Sequence, residues 1–213
     1  MAMSFKTLPG ITDIDGNTYS IIQIGTQTWL GENLKTTKHN DGTALPLVKD
    51  SIAWSNLTTP GYCWYNNNVA TNKATYGALY NWYTVNTGKL CPIGWHVPSN
   101  GEWITLTTFL GGESVAGGKL KETGTTHWES PNTGATNESG FTSLPGGGRN
   151  SGGLSDSQNG TFAAVRWTGT WWTSSEFTNH YVYGWVMKYN QSNVQYTNLF
   201  QKTMGCSVRC VKN

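Results

Sequence analysis

Apolar and polar side chains alternate near the start of the chain, whereas helical spacings occur further along it. Residues 19–24 (YSIIQI) alternate imperfectly, and residues 28–30 resume the pattern after a turn at Gly25. A DGN sequence just before them is typical of a hairpin turn. Alternation with a period of two directs successive side chains to opposite faces of a strand. The pattern therefore predicts two short strands in this part of the chain.

A helix start follows a proline-containing corner in the middle of the chain. Residues 88–103 (GKLCPIGWHVPSNGEW) contain two prolines, and each proline fixes φ and removes a backbone donor. We expect residues 93–97 to be extended, with Trp95 directed into an apolar interior. Ser99 and Glu102 have the spacing of a capping box. The apolar face of the helix that they open consists of Trp103, Leu106 and Leu110.

Another helical spacing lies upstream of this corner. Residues 76–85 place apolar and aromatic side chains three or four positions apart, and Gly88 is a plausible helix stop. These side chains are Tyr76, Leu79, Tyr80 and Tyr83. Because an aromatic stripe at this spacing is usually core, the sequence predicts a second, packed helix here.

The last third of the chain predicts strands. Four segments combine β-branched and aromatic residues, and glycine- or asparagine-rich turns separate them. They are residues 166–176, 181–190, 193–199 and 206–212. Within the second segment, alternation puts Tyr181, Tyr183 and Trp185 on one face and the two valines, Val182 and Val186, on the other. We expect the valine face to point inward and the aromatic face outward.

Two long stretches read as ordered loops. Residues 40–72 are rich in Asn, Thr, Pro and Gly, and residues 111–160 alternate short structured pieces with glycine-rich turns. The glycine-rich sequence LPGGGRN at residues 144–150 resembles a phosphate-binding loop, but it lacks the Lys-Ser/Thr ending of a P-loop. We therefore expect loop structure there rather than a phosphate site.

Composition restricts the class of protein. The chain has 213 residues, which fits one domain with a sizeable core. Only 12% of its residues are charged, while 26 are glycine and 11 are tryptophan. This balance is typical of a secreted or surface-exposed, loop-rich binding domain. A net charge of +2 gives no reason to expect nucleic acid or acidic lipid as a partner.

The sequence also bears on location. No run approaches eighteen apolar residues, so we expect no membrane-spanning segment. The first ten residues, MAMSFKTLPG, lack the apolar core of a signal peptide. We expect an extracellular or cell-surface location with the native signal missing from this sequence; a phage virion, which needs no signal, is the alternative.

Four blocks of this chain, in order, resemble the Fibrobacter succinogenes major paralogous domain family. The blocks are Asp13–Leu34, Tyr76–Asn86, Gly88–Trp103 and Gly205–Lys212. The family is similar to the C-type-lectin-like fold, in the branch that contains the formylglycine-generating enzymes. The resemblance implies an α+β domain with two helices, a twisted, mostly antiparallel sheet and long ordered loops.

The resemblance has further implications for this chain. It implies a single domain over residues 13–213, preceded by an N-terminal extension over residues 1–12, with chain ends that lie close together. It implies a disulfide between Cys91 and Cys210, because lectin-like folds tie the C-terminal strand to the region before the second helix. It also makes Arg149 a structural hydrogen-bond donor.

The remaining cysteines leave alternatives open. Four cysteines allow three full pairings, so Cys63 and Cys206 are either a second bridge or buried thiols, and we favour thiols. An oxidase of the formylglycine-generating type would need two active-site cysteines. Cys206 and Cys210 lie four apart, but they belong to the terminal strand of the fold. The chain has four histidines, His39, His96, His127 and His180. None of them has a carboxylate at triad-like spacing in the sequence, so we expect no enzyme.

Metal and cofactor sites are not expected. The Asp13/Asp15/Asn17 spacing resembles the start of a calcium loop, but the glycine and glutamate that such a loop requires at its sixth and twelfth positions are missing. The Glu-Pro-Asn and Trp-Asn-Asp sequences of calcium-dependent lectins are also absent. Carbohydrate binding without calcium, by stacking on exposed tryptophans, is one alternative function.

We expect a non-enzymatic domain that displays a binding face between residues 176 and 201. The connections between strands in this region are rich in aromatic and adaptable polar residues, like an antibody contact set. The candidate contact residues are Phe177, His180, Tyr183, Trp185, Tyr189, Asn193, Tyr196 and Phe200. The expected ligand is a protein or glycan on another cell or surface. In a sharper form of this hypothesis, a retroelement that mutates adenines diversifies the segment, which is rich in Asn, Tyr, His, Ser and Thr.

Overall fold

The structure, a computed structural model, describes residues 7–152 and 158–213. Helices and strands alternate irregularly, and short strands are joined by long turns. In chain order the elements are β1 (Thr7–Thr12), β2 (Thr18–Ile24), β3 (Gln27–Leu30), α1 (Ser51–Ser55), β4 (Tyr62–Cys63), α2 (Val69–Tyr76), β5 (Leu79–Tyr80), α3 (Trp82–Val85), β6 (Trp95–His96), α4 (Asn100–Phe109), α5 (Glu113–Leu120), β7 (Gly148–Arg149), β8 (Phe162–Ala163), β9 (Thr168–Glu176), β10 (Tyr181–Lys188), β11 (Val194–Gln201) and β12 (Val211–Lys212). The mixed α and β composition agrees with what the family resemblance implies, but the described residues contain five α-helices rather than the two expected.

Antiparallel pairing joins these strands into two main sheets. The first has the order β1-β2-β3-β12-β6, and the second has the order β11-β10-β9. The pairs β4-β5 and β7-β8 form two small additional sheets. The first sheet brings the strand nearest the C-terminus against β3, which agrees with the expectation that the two ends of the domain lie close together.

Strand β9 has a core on each of its faces. Trp171 and Trp172 are neighbours in sequence, so their side chains leave the strand on opposite sides, and both are fully buried. Trp171 packs with Trp29, Trp103 and Trp185 in one apolar cluster, whereas Trp172 belongs to a second cluster with Tyr80, Trp82 and Phe200. The three-stranded sheet therefore lies between two cores.

The helix start at Ser99 is as the sequence predicts. The Ser99 hydroxyl accepts a bond from the Glu102 amide, and the Glu102 carboxylate accepts from the Ser99 amide. The predicted apolar face of α4 is fully buried: Trp103, Leu106 and Leu110. Trp95 is buried as expected, but only Trp95–His96 of the expected extended stretch is a strand, because Gly94 forms a turn with a φ of 83°.

The single continuous helix predicted over residues 76–85 is wrong, although Tyr76 ends α2 and the last four residues form α3. Helix α2 ends at Tyr76, and Gly77 adopts a φ of 77° with its α-carbon against the Leu34 carbonyl, where a Cβ would lie 2.7 Å from that oxygen. The next residues are extended, and Tyr80 pairs with Tyr62 on one side and Cys206 on the other. Tertiary strand pairing thus overrides the helical spacing. Of the five α-helices of the described residues, α1 and the first half of α2 also lie in the stretch 40–72 that the sequence assigns to loops.

Helix α5 is a second departure from the sequence-based expectation. Its residues, ESVAGGKL, contain two glycines, which disfavour helix and made the segment read as a turn. Both glycines are required by packing. A Cβ at Gly117 would lie 2.2 Å from the Asn193 carbonyl oxygen, and one at Gly118 would lie 2.2 Å from the Gly134 carbonyl oxygen. The missing side chain of Gly117 lets α5 approach the turn between β10 and β11, and that of Gly118 lets it approach the loop at Gly134.

Arg149 is a structural donor, as the family resemblance implies. Its guanidinium is buried and donates to four carbonyl oxygens, those of Val48, Lys49, Asp50 and Gly160. The same group lies over the rings of Trp54 and Phe162. One side chain therefore holds the loop before α1 against the glycine-rich region near residue 160.

The expected N-terminal boundary is partly wrong. Thr7–Thr12, assigned to an extension, forms β1 and pairs with β2 in the first sheet. Residues 1–6 of the expected extension lie outside the described residues. The part of the chain that is described contains no helix of the length and hydropathy needed to cross a membrane.

The glycines of α4 and α5 give a matched test of this packing. We predict that Gly117→Ala lowers the free energy of unfolding by about 1–3 kcal/mol, because the new methyl group overlaps the Asn193 carbonyl. Gly101→Ala in α4 is the control, since its Cβ meets nothing nearer than the Ser99 hydroxyl at 3.8 Å. It should raise stability by about 0.5 kcal/mol through helix propensity. Urea unfolding of both variants checks the pair, and equal effects would contradict the close approach.

Candidate binding surface

Trp185, a predicted contact residue, is part of the core. It is fully buried, and its ring stacks on Trp103 of α4 with centroids 5.5 Å apart and ring planes at 14°. Its indole Nε1 donates to the Asn100 side chain at 2.9 Å. The expectation that the aromatic face of β10 points outward is wrong at this position, because α4 covers that face. Val182, on the opposite face, is buried as predicted, while Val186 is only half-buried.

Phe200 is the second predicted contact residue that proves to be buried. Unbroken alternation along β11 would put it on the same face as Tyr196. A bulge intervenes, since Phe200 pairs with Val182 whereas Thr197 pairs with Gly184. One extra residue on β11 reverses the face. Phe200 therefore packs against Trp172, with centroids 5.5 Å apart, and fills the space that the missing side chain of Gly184 leaves.

Three of the predicted residues form one exposed group, which we call the aromatic row: Phe177, Tyr183 and Tyr196. Phe177 follows β9, Tyr183 lies in β10 and Tyr196 lies in β11. The Phe177 and Tyr183 rings are 5.5 Å apart at 75°, and the Tyr183 and Tyr196 rings are 6.4 Å apart at 45°. Phe177 and Tyr196 are each 47% exposed. Tyr196 also contacts the buried Trp185, so the row rests directly on the core.

The other predicted residues lie elsewhere on the same strands and turns. His180 is exposed in the turn between β9 and β10. Tyr189 is half-buried beyond the end of β10, where its ring lies 6.0 Å from that of Trp167. Asn193 is half-buried in the turn before β11, against α5. Five of the eight predicted residues are thus outside the aromatic row. Trp167 is 56% exposed, and sequence reasoning missed it because the segment around it reads as a buried strand.

A buried lysine fixes the β10-β11 hairpin that carries the row. The Lys121 ammonium donates to the carbonyl oxygens of Thr133, Lys188 and Gln191 at 2.8–3.2 Å. Burial lowers the pKa of Lys121 to about 8, so the charged form with three donors predominates at neutral pH. Nothing in the sequence around Lys121 distinguishes it from a solvated lysine. Only the tertiary structure shows that it binds the hairpin.

The disulfide that the resemblance implies is present. Cys91 and Cys210 are bonded, with their Cα atoms 6.0 Å apart. Cys63 and Cys206 are free and buried, in agreement with the favoured alternative. In the backbone pairing, Cys63 lies opposite Leu79 and Cys206 lies opposite the next residue, Tyr80. The two thiols nevertheless belong to different apolar clusters. Burial raises the pKa of each thiol to about 12, so neither is a thiolate at neutral pH.

Two histidines have carboxylate partners, which corrects the expectation from sequence spacing. His96 Nε2 lies 2.8 Å from Glu102 Oε1, and His127 Nδ1 lies 2.9 Å from both carboxylate oxygens of Glu122. The turn between β1 and β2, whose spacing resembles the start of a calcium loop, uses its first carboxylate internally. The Asp13 carboxylate accepts hydrogen bonds from Asp15 and Asn17 within the turn and from the Tyr19 hydroxyl. Among the described residues, no group of three or more His, Cys, Asp or Glu side chains could hold a metal ion.

Comparison with known proteins gives one match. The family model described as the Fibrobacter succinogenes major domain matches residues 22–212. No curated protein and no solved structure matches the chain. The matched range contains both main sheets except β1 and the first part of β2, and it includes the aromatic row.

The row and the core beneath it should respond differently to truncation. We predict that Tyr196→Ala costs less than about 1 kcal/mol, because nearly half of the side chain is in water. Trp185→Ala should cost about 3–5 kcal/mol, because it opens a cavity under the stacked Trp103 ring. Thermal and urea unfolding measure both values. A Tyr196 variant as unstable as the Trp185 variant would show that the row is core.

Proposed function

Because this chain belongs to the Fibrobacter succinogenes major domain family, as the match over residues 22–212 shows, we propose that it is a non-enzymatic, C-type-lectin-like domain that binds another protein through the aromatic row. The main support for a binding role is the aromatic row itself. Three neighbouring aromatic side chains reach the surface from three consecutive strands or their ends, and two of them are about half exposed. Exposed aromatic groups of this kind mark interaction sites.

The support beneath the row favours binding. Tyr196 contacts Trp185, which is held by the Trp103 ring and by a hydrogen bond to Asn100. Side chains on such a support lose little conformational freedom when a ligand binds, because few of their torsions are free beforehand. Tyrosine also supplies a hydroxyl for a polar contact at the rim of an interface.

The orientation of the rings favours a protein partner over a flat sugar chain. A sugar ring stacks on an aromatic face, so an extended polysaccharide is best matched by rings that are nearly coplanar. The rings of the row are inclined by 75° and 45° to each other. Inclined rings fit the uneven surface of a protein, in which side chains insert between them.

Other features support the remaining parts of the proposal. The C-type-lectin-like assignment is supported by the disulfide that ties the C-terminal segment to the region before α4. A non-enzymatic role is supported by the two free thiols, whose burial and raised pKa are the reverse of what an oxidase needs. An extracellular or surface location, or a virion, is compatible with a disulfide.

We further propose that a retroelement diversifies the segment between residues 176 and 201. Diversification requires positions at which the fold tolerates many side chains. Phe177, His180, Tyr183 and Tyr196 meet this condition, because they are exposed or half-buried and their side chains accept or donate no hydrogen bond within the described part of the chain. Trp185 and Phe200 do not meet it, because both are buried in the core.

The binding role is tested with a triple variant. Cross-linking and mass spectrometry should recover a partner protein with the wild-type chain and lose it with Phe177→Ala/Tyr183→Ala/Tyr196→Ala. Ile93→Ala is the control, since Ile93 is 83% exposed and is not part of the row. Recovery of the same proteins with the wild type and the triple variant would contradict the proposal, as would loss with the control.

The diversification hypothesis predicts a pattern in the flanking DNA. An imperfect repeat of the last coding segment should lie beside a reverse transcriptase gene. The differences between the two copies should fall on adenines and should change codons for exposed positions such as 180, 183 and 196, while the codons for Trp185 and Phe200 remain identical. Sequencing the flanking region measures this directly, and differences spread equally over buried codons would count against diversification.

A further inference from the structure

One edge of the three-stranded sheet is open beside the aromatic row. Among the described residues, β11 pairs with β10 on one side and with no strand on the other. The opposite edge is not open, because β9 is bridged to Gly147 and to Ser207. Strand β11 is eight residues long and contains no proline and no charged residue. It therefore lacks two of the features by which natural proteins protect an edge strand.

The direction of the main-chain groups along β10 shows which groups of β11 are free. The Tyr181 C=O and the Tyr189 N–H both bond to residues that flank β9. Main-chain groups of successive strand residues point to opposite sides, so the odd-numbered residues of β10, including Trp185, face β9. Tyr196 lies opposite Trp185. The N–H and C=O of Tyr196 therefore point away from β10, towards the open edge.

These two main-chain groups are accessible. In the ranges 7–152 and 158–213, no residue outside β10 and β11 makes a main-chain hydrogen bond with Tyr196. Helix α5 covers the start of β11, where Val194 is buried, but Gln195 and Leu199 on either side of Tyr196 are exposed. A donor and an acceptor are thus available in the middle of β11 to a chain that pairs with it.

The aromatic row ends at this open edge. It crosses the sheet from Phe177 through Tyr183 on β10 to Tyr196 on β11. Side chains directly opposite each other on paired strands lie on the same face, about 4.5–5.5 Å apart. A strand added to β11 would place every second side chain on the face of the row, and the one opposite Tyr196 would extend it. Aromatic and β-branched side chains gain most from such a neighbour.

A bulge in β11 distinguishes between kinds of partner. It lies between Thr197 and Phe200, next to the free groups of Tyr196. Because a bulge interrupts the regular ladder, it disfavours pairing with a second fixed edge, such as β11 of another copy. A peptide segment without fixed structure can adapt its register to the bulge. Since β11 carries no charge, it offers nothing to attract a charged segment.

We propose that the partner of the aromatic row is a flexible peptide segment that adds to β11 as a fourth strand, with apolar side chains at alternate positions over the row. Main-chain hydrogen bonds to Tyr196 supply affinity in this arrangement, and the row selects the side chains. The strand addition rests on the proposed protein-binding role of the row and specifies the form of the partner.

The probe is a displayed library of random linear ten-residue peptides, selected on the full chain. Selected peptides should carry apolar or aromatic residues at every second position. In a synthetic copy of one of them, N-methylation should weaken binding about five- to tenfold at alternate residues and little at the residues between, because only every second N–H faces β11. A scan without this period of two would overturn the strand addition.

Two substitutions at one position separate the main chain from the ring. Tyr196→Ala removes the ring, whereas Tyr196→Pro removes both the ring and the N–H. The proline variant should bind the selected peptide about five- to tenfold more weakly than the alanine variant. Both should unfold at similar temperatures, because an edge strand tolerates proline where its N–H faces outward. Equal affinities of the two variants would contradict the proposal.

Hydrogen exchange gives the same answer without a substitution. The Tyr196 amide should exchange rapidly in the free chain and slowly once the selected peptide is bound. Slow exchange in the dilute free chain would show that the N–H is already bonded. A dimer at high concentration that protects this amide would show that a second copy occupies the edge, and either result would overturn the proposal.

The outcomes also separate the strand addition from the proposed function. If cross-linking recovers a partner that requires the aromatic row but the library yields no peptide, the row binds a folded surface and only the strand addition fails. If the triple variant of the row binds the selected peptides and the partner protein as the wild type does, the row is not the binding site and both proposals fail.

Discussion

The buried C-terminal segment, residues 205–211, holds distant parts of the chain together by backbone hydrogen bonds. Residues 205–211 are all buried, although they carry only one strand residue of the first sheet. Their backbone pairs in succession with Arg149, with Tyr80, with Trp172 and with Leu34. Cys210, the next-to-last residue of the segment, forms a disulfide with Cys91, 119 positions earlier in the sequence. The segment therefore joins parts of the chain that are far apart in sequence, from Leu34 to Trp172.

Arg209 shows how much the interior depends on this segment. Its buried guanidinium donates to the Gly31 and Phe141 carbonyl oxygens and to Asn33 Oδ1, which also accepts from Trp171. Burying a guanidinium is costly unless it is hydrogen-bonded, and here both terminal nitrogens of Arg209 are bonded, whereas its Nε has no partner in the described part of the chain. Trp171 in turn holds β9 in the core, so a chain of contacts runs from the C-terminal segment to the sheet that carries the aromatic row. The aromatic row therefore lies on an interior that is held at several points.

The spacing of residues in the sequence correctly predicted the elements whose conformation depends on neighbouring residues. It failed where contacts with distant parts of the chain determine the conformation. The capping box at Ser99, the strands β2, β3 and β9–β11 and the buried Trp95 follow from spacing alone. The helix expected over residues 76–85 fails because Gly77 meets the Leu34 carbonyl, and α5 was missed because its two glycines serve contacts with distant carbonyls. In the candidate binding surface, Phe177 and Tyr196 are exposed as expected, and Tyr183 is half-buried between them. Trp185 and Phe200 were misplaced, since a covering helix and a one-residue bulge leave no signal in the sequence of a strand.

The aromatic row lies on an interior that the C-terminal segment closes, and the thiol of Cys206 reports on that segment directly. Cys206 is free, fully buried and lies within residues 205–211. We predict that a thiol reagent labels Cys206 only at the rate of global unfolding, in step with the exchange of the most protected backbone amides. Rapid labelling of Cys206 in the folded protein, while the β9-β11 sheet stays protected, would show that the segment opens on its own and does not close the interior.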